Sequence, residues 1–144
     1  MLQFFWLCLR EVRSGNATLI HARSYIPAAV ALLTNRLTGA PFIFDMRALW
    51  PEELITAGRL RRGSLLHRSM VRAERLCLRH AAGVVSLTHA AVDYLKSVYP
   101  DELERQRVVV IPTCADLDRF VPGDHPVSGP RVYGCLGTVL SGWF

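Results

Sequence analysis

Strand-length apolar runs alternate with helix-length amphipathic ones along this chain, and that alternation most constrains its fold. The strand-like runs are "ATLIHA", "PFIFDMR", "AAGVVSLT" and "RVVVIP", and a fifth, "RVYGCLGT", follows after a Pro- and Gly-containing stretch. Between them lie segments with helical start and stop signals. Ser24 stands before "YIPAAVALLTNRLT" with Pro27 in its first turn, and Gly39 ends it. Ser64 can cap a helix running to about His80, with Leu66, Met70, Ala73 and Cys77 on one face. Thr88 can cap "HAAVDYLKSVY", which stops before Pro100. Strands that alternate with helices imply parallel crossovers, so the expected class is α/β: a Rossmann-like parallel sheet with flanking helices on both faces.

Two further segments complete the reading. In "MLQFFWLCLREVR", Leu2, Phe5, Trp6, Leu9 and Val12 recur at helical spacing and predict a helix with one buried face. Its apolar run is short of the roughly 20 residues a membrane span needs. It also lacks a basic leader and a small-residue cleavage site, so no signal peptide is expected. The stretch "ALWPEELITAGRLRRG" reads as a loop.

The composition, 51% hydrophobic and 20% charged over 144 residues, suits one core of ordinary size. The net charge of +5 is carried by arginine, since Lys96 is the one lysine. Arginine's planar fork suits phosphate and carboxylate partners, although a general preference for arginine gives the same count. Cys8, Cys77, Cys114 and Cys135 show no metal-ligand spacing, which predicts reduced thiols in a cytosolic protein and no metal site. Neither GxGxxG nor GxxxxGK[ST] is present, and no internal repeat is visible.

In parallel α/β sheets, functional residues gather just past the carboxyl ends of the strands. His21 closes the first strand-like run, where a neutral imidazole can exchange a hydrogen bond with a hydroxyl or phosphate, or simply hold nearby backbone. After the second run, "FDMRALWPEE" gathers Asp45, Arg47, Trp50, Glu52 and Glu53. Carboxylates that accept from hydroxyls beside an indole face could hold a polyhydroxyl ligand. Alternatively, an Asp–Arg pair fixes the loop while Trp50 packs inward.

Arg68, Arg72, Arg75 and Arg79 form a stripe along the helix after Ser64, opposed by the single acid Glu74. Such a stripe is a solvated face, or a contact for anionic lipid headgroups or nucleic-acid phosphate. Aromatic residues are not interleaved with it, so no nucleic-acid partner is expected.

Taken together, "IHARSYIPA", "FDMRALWPEE", "AAGVVSLTHAAVDYL" and "VVVIPTCADLDRF" resemble the GT-B glycosyltransferases of family 4, the group 1 glycosyltransferases, from about Leu19 to Gly137. The most specific part is the spacing of Ile111, Pro112, Asp116 and Phe120. Thr113-Cys114 stands where many members have Asn-Gly, and Ala82 where many have Asp. The resemblance implies a partial acceptor-side domain over 1–111, an interdomain linker over 112–130 and the start of a donor-binding domain over 131–144.

It further implies a retaining, metal-independent transfer of sugar from a nucleotide-sugar to a hydroxyl acceptor, with no cofactor. His21 matches the family's strand-end histidine near the reacting sugar. Asp45, Arg47, Trp50 and Glu52 would line the acceptor side, and Gly134 and Gly137 would bring backbone N–H groups to the donor phosphates. The family's opening strands and its Glu-x7-Glu motif are not in this sequence, so an inactive fragment, cytoplasmic or peripheral on the membrane face, is expected. The competing expectation is a non-catalytic basic module at a membrane surface or in a complex.

Overall fold

The structure, a computed structural model, describes residues 2–119 and Val121. The expected fifth strand, Gly134, Gly137 and Phe120 therefore lie outside the described residues.

In chain order the elements are α1 (Leu2–Arg13), β1 (Ile20–Arg23), α2 (Tyr25–Thr38), β2 (Phe42–Met46), α3 (Trp50–Thr56), α4 (Leu65–His80), β3 (Gly83–Ser86), α5 (His89–Val98), α6 (Pro100–Leu103) and β4 (Val108–Val110). The four strands are parallel and lie in sequence order, β1-β2-β3-β4. The α/β Rossmann-like sheet expected from the alternation is thus present. Several caps also behave as the sequence predicts. The Ser64 hydroxyl accepts the His67 N–H, the Thr88 hydroxyl accepts the Ala91 N–H, and Gly39 closes α2 in a left-handed conformation at φ 75°.

Sequential order has a geometric consequence. Right-handed crossovers that always step in one direction put every connecting helix on the same face of the sheet. Burial follows that rule. Ala22, Phe42, Phe44, Met46 and Val84 join Ala28, Ala31, Cys77, Leu78, Leu95 and Tyr99 in one core. The residues between them on the strands, His21, Arg23, Ile43, Asp45, Val85 and Val109, belong to the other face. No described helix contributes to a core there, and Val109 is 46% exposed. Among the described residues the helices cover one face, not two as the alternation suggested.

Three local expectations need correction. On α1 the inward residues are Phe5, Cys8, Leu9 and Val12, whereas Leu2 and Trp6 are exposed. The helix packs chiefly against α2, so only a narrow stripe at i, i+3, i+4 and i+7 is covered. The loop after β2 contains α3, whose start is marked by Pro51 and by Glu52 and Glu53 in its first turn. On α4 the buried line is Glu74, Cys77 and Leu78, with Val71 partly covered, while Leu66 and Ala73 are exposed. A charged residue occupies the core-facing position, and for that reason a pattern built on apolar residues included Cys77 but was offset from the true face.

Candidate functional site

β1, β2 and β3 end side by side, and two of the residues singled out in the sequence meet there. His21 Nε2 lies 3.1 Å from Asp45 Oδ2. The carboxylate is acceptor-only, so Nε2 carries the proton and donates, leaving Nδ1 as an acceptor in the neutral ring. His21 is 62% exposed and Asp45 14%. The strand register explains the meeting. His21 pairs with Ile43 and Arg23 with Asp45, so His21 reaches diagonally across the open face to a neighbouring strand.

The strand also runs on to Arg23, which places His21 inside it and not at its end. Arg23, two residues on and on the same face as His21, is the side chain at the carboxyl edge of β1. The sequence reading assigned it no role, although the period-2 rule of a strand carries it onto His21's face.

The strand-to-helix junction beside this pair is strained. Ser24 has φ 78° and ψ 174°, a combination that glycine adopts readily and a side chain does not. Its N–H donates to Asp45 O at 2.9 Å, and its side chain makes no capping bond. Ser24 therefore precedes α2 as expected but does not cap it with its hydroxyl. The strained turn ties the end of β1 to the residue that holds His21.

The remaining candidates divide between two places. Arg47 is exposed at the mouth of a cavity of about 170 Å³ lined by Met46, Ser86, Leu87, Thr88 and Ala91, just past the ends of β2 and β3. Trp50 and Glu52 ride on α3 and turn toward the helix layer. The Trp50 ring lies against Tyr25, centroid to centroid 5.6 Å, and Glu52 accepts from Arg62 Nη2 at 2.5 Å. Asp45 thus pairs with His21 and not with Arg47, while Trp50 packs inward.

What fixes the rim loop is a group the sequence reading had set against the arginine stripe. Glu74 is buried. Its Oε1 meets the Tyr25 hydroxyl and its Oε2 the Tyr99 hydroxyl, each at 2.5 Å. The Tyr25 oxygen also lies 3.1 Å from Ala48 O and accepts the Trp50 N–H at 3.3 Å. The Tyr25 hydroxyl donates to Oε1, its shorter contact, and the Tyr99 hydroxyl donates to Oε2. Burial pushes the Glu74 carboxyl above its ordinary range, outweighing the tyrosine hydroxyls that lower it. Burial likewise raises both phenols and pushes the Cys77 thiol up to about 12, so these groups stay neutral. The sequence did hold a signal: Val71, Glu74 and Leu78 form one helical stripe.

The arginine stripe is less uniform than its spacing suggests. Arg75 pairs with Glu102 at 3.2 Å and stacks over the Tyr99 ring. Among the described residues, Arg68, Arg72 and Arg79 have no carboxylate partner. No cluster of potential metal ligands occurs among the described residues. No described helix is long and apolar enough to cross a membrane.

No curated protein and no solved structure matches the chain significantly. The family model described as a glycosyl transferase 4-like domain matches residues 1–114. That span takes in β1 to β4, the His21–Asp45 pair and the rim loop. The parallel sheet, the residues gathered at its carboxyl edge and this match over most of the chain together place the protein in the glycosyl transferase 4-like family, with a role in glycosyl transfer.

Proposed function

We propose that this chain is the acceptor-side part of a GT-B glycosyltransferase that moves a sugar from a nucleotide-sugar to a hydroxyl acceptor with retention. One observation carries the reading: His21 and Asp45 form a hydrogen-bonded pair beside the strand ends, within the segment that matches the family. With Nε2 committed to Asp45, Nδ1 is free to accept a hydrogen bond from a substrate hydroxyl, and the carboxylate stabilises any positive charge the ring gains. Arg23 and Arg47 supply positive charge at the same edge, where it can offset charge developing on a leaving phosphate. In the family's scheme, donor contacts come from residues outside 1–119, including Gly134 and Gly137. A variant ending at Arg119 is therefore expected to bind nucleotide-sugar negligibly, and saturable binding in calorimetry would overturn the division of labour. In an intact enzyme, His21→Ala should lower kcat on the order of 10² to 10³ while leaving the melting temperature nearly unchanged. A lowered melting temperature with unaltered turnover would make the histidine structural.

A second reading, docking on an anionic membrane face in the cytoplasm, is favoured by one feature. Leu65 is 84% exposed at the start of α4, next to exposed Leu66 and one and two turns before Arg68 and Arg72. Apolar side chains beside a basic stripe suit a headgroup boundary, with about 1 kcal/mol per basic residue. Adsorption to acidic vesicles that high salt reverses is the expected result. Equal pelleting with neutral vesicles would leave Arg68, Arg72 and Arg79 a solvated face.

A further inference from the structure

Leu2, Phe4, Trp6 and Leu7 are exposed on α1, Trp6 to 61%. On α2, against which α1 packs, Ile26, Leu33 and Leu37 are exposed as well. These three fall at i, i+7 and i+11, one line along the side of α2 turned away from the core. Cys8 Sγ lies 3.7 Å from the Thr34 hydroxyl, which sets the two helices side by side. They run in the same direction, since each ends near the start of the strand that follows it, linked by 14–19 and by 39–41. Apolar surface gathered on neighbouring elements marks an interaction site, whereas single exposed leucines do not.

Shape and charge narrow the class of partner. Gln3 is the one polar residue from Leu2 to Leu9, and Phe4 and Trp6, two positions apart, point to nearly opposite sides of the helix. Phe5 and Leu9 turn inward, so the first two turns of α1 are apolar on the inner side and on both flanks. A flat protein partner covers one stripe of a helix, whereas a bilayer boundary takes up both flanks of a helix lying in it. Arg10 and Arg13 occupy the last turn of α1 and Arg36 the last turn of α2, at the same end of the pair. The sole acid on either helix is Glu11, which Arg10 and Asn16 hold. Three arginines against one glutamate, next to an apolar surface, complement anionic headgroups, and tryptophan is a residue enriched at that boundary.

We infer that α1, together with the outer line of α2, docks on an anionic lipid bilayer, with its first two turns at the boundary between headgroups and acyl chains. The inference uses no residue at the strand ends and none of the Leu65–Arg72 segment of α4, so it stands apart from both readings above. The test is tryptophan fluorescence of the whole chain, carrying Trp143→Phe so that Trp6 and Trp50 remain. The probe is a phosphatidylcholine–phosphatidylglycerol vesicle brominated near the top of its acyl chains. Vesicles should blue-shift and quench the emission, and adding Trp6→Phe should abolish both changes, because Trp50 packs on Tyr25. Leu33→Asp with Leu37→Asp, both at exposed positions, should weaken vesicle binding on the order of tenfold or more. Pelleting with the vesicles without quenching of Trp6 overturns the inference and leaves α4 as the contact. No pelleting with acidic vesicles overturns both docking readings and leaves the transferase reading untouched. A dimer in sedimentation equilibrium whose Trp6 is already blue-shifted without vesicles also overturns it, because a second copy then covers α1.

Discussion

The two faces of the sheet are built from the same four strands and differ in almost everything else. On the helix-covered face, Phe42 and Phe44 are fully buried, and Tyr25 meets Phe44 edge-on at 5.5 Å. On the open face, the corresponding row runs Arg23, Asp45, Val85, Val109, ending in a valine nearly half exposed. Stability in this chain therefore belongs to one face and candidate chemistry to the other. The difference teaches where a substitution will register: covered-face changes in folding, open-face changes in turnover.

The sharpest way to break that contrast is a pair of truncations. Phe44→Ala should cost about 3–5 kcal/mol through lost burial and an unfilled cavity. Val109→Ala should cost less than about 0.5 kcal/mol, as surface changes do. Urea denaturation of both would decide, and similar losses would mean that the open face is covered in solution.

Glu74 tests the same layer electrostatically. Glu74→Leu leaves the Tyr25 and Tyr99 hydroxyls without their partner and should cost about 1–3 kcal/mol. Glu74→Gln keeps a neutral group of the same shape and should cost less. Because burial raises the carboxyl's pKa in the folded state, the folded chain holds this proton more tightly than the unfolded one. The resulting stability is fully present below the ordinary value of 4.5 and is lost as pH rises through the raised folded value. Chemical denaturation across that range should show the decline in the native chain and its absence in Glu74→Gln. A flat native profile would show an ionised Glu74.

Ser24 sharpens the comparison where the faces meet. Its backbone conformation costs of order 1–3 kcal/mol for a residue with a side chain, and Ser24→Gly removes that strain at an entropic cost of roughly 0.5–1 kcal/mol. A net gain on the order of 1 kcal/mol in stability is expected, measured by thermal unfolding, and a loss would mean that the serine side chain stabilises the turn. His21→Ala is the last test of the open face. Its exposed pair with Asp45 should contribute no more than about 1 kcal/mol to folding, and a larger loss would move His21 to the structural side of the contrast.

Much of this division was legible in the sequence. Alternating runs, the Ser64 and Thr88 caps and Gly39 were sufficient for the order of the four strands and of α2, α4 and α5, because each rests on local backbone chemistry. The one-sided covering was not legible, since it follows from strand order, which no local pattern encodes. Asp45 and His21 could be nominated separately, but their contact depends on a register between strands 24 residues apart in the chain. Glu74 was misjudged because its tyrosine partners lie 49 and 25 residues away, and an acid without visible partners reads as a surface group. Trp50 and Glu52 were grouped with Asp45 by sequence proximity, and α3 carries them off to the helix layer.

Strict sequence order in the sheet bears finally on how the chain assembles. Among the described residues, each strand pairs with the next one to be synthesised, so none of the four must wait for a partner from the far end of the chain. Each loop that closes spans one helical crossover, which keeps the entropic cost of closure small and nearly constant from step to step. β2, paired on both sides and carrying Phe42, Phe44 and Met46 into the core, is placed for the later units to dock onto. Growth of this kind suits vectorial folding on the ribosome, with α2 seated on β1 and β2 before β4 has emerged.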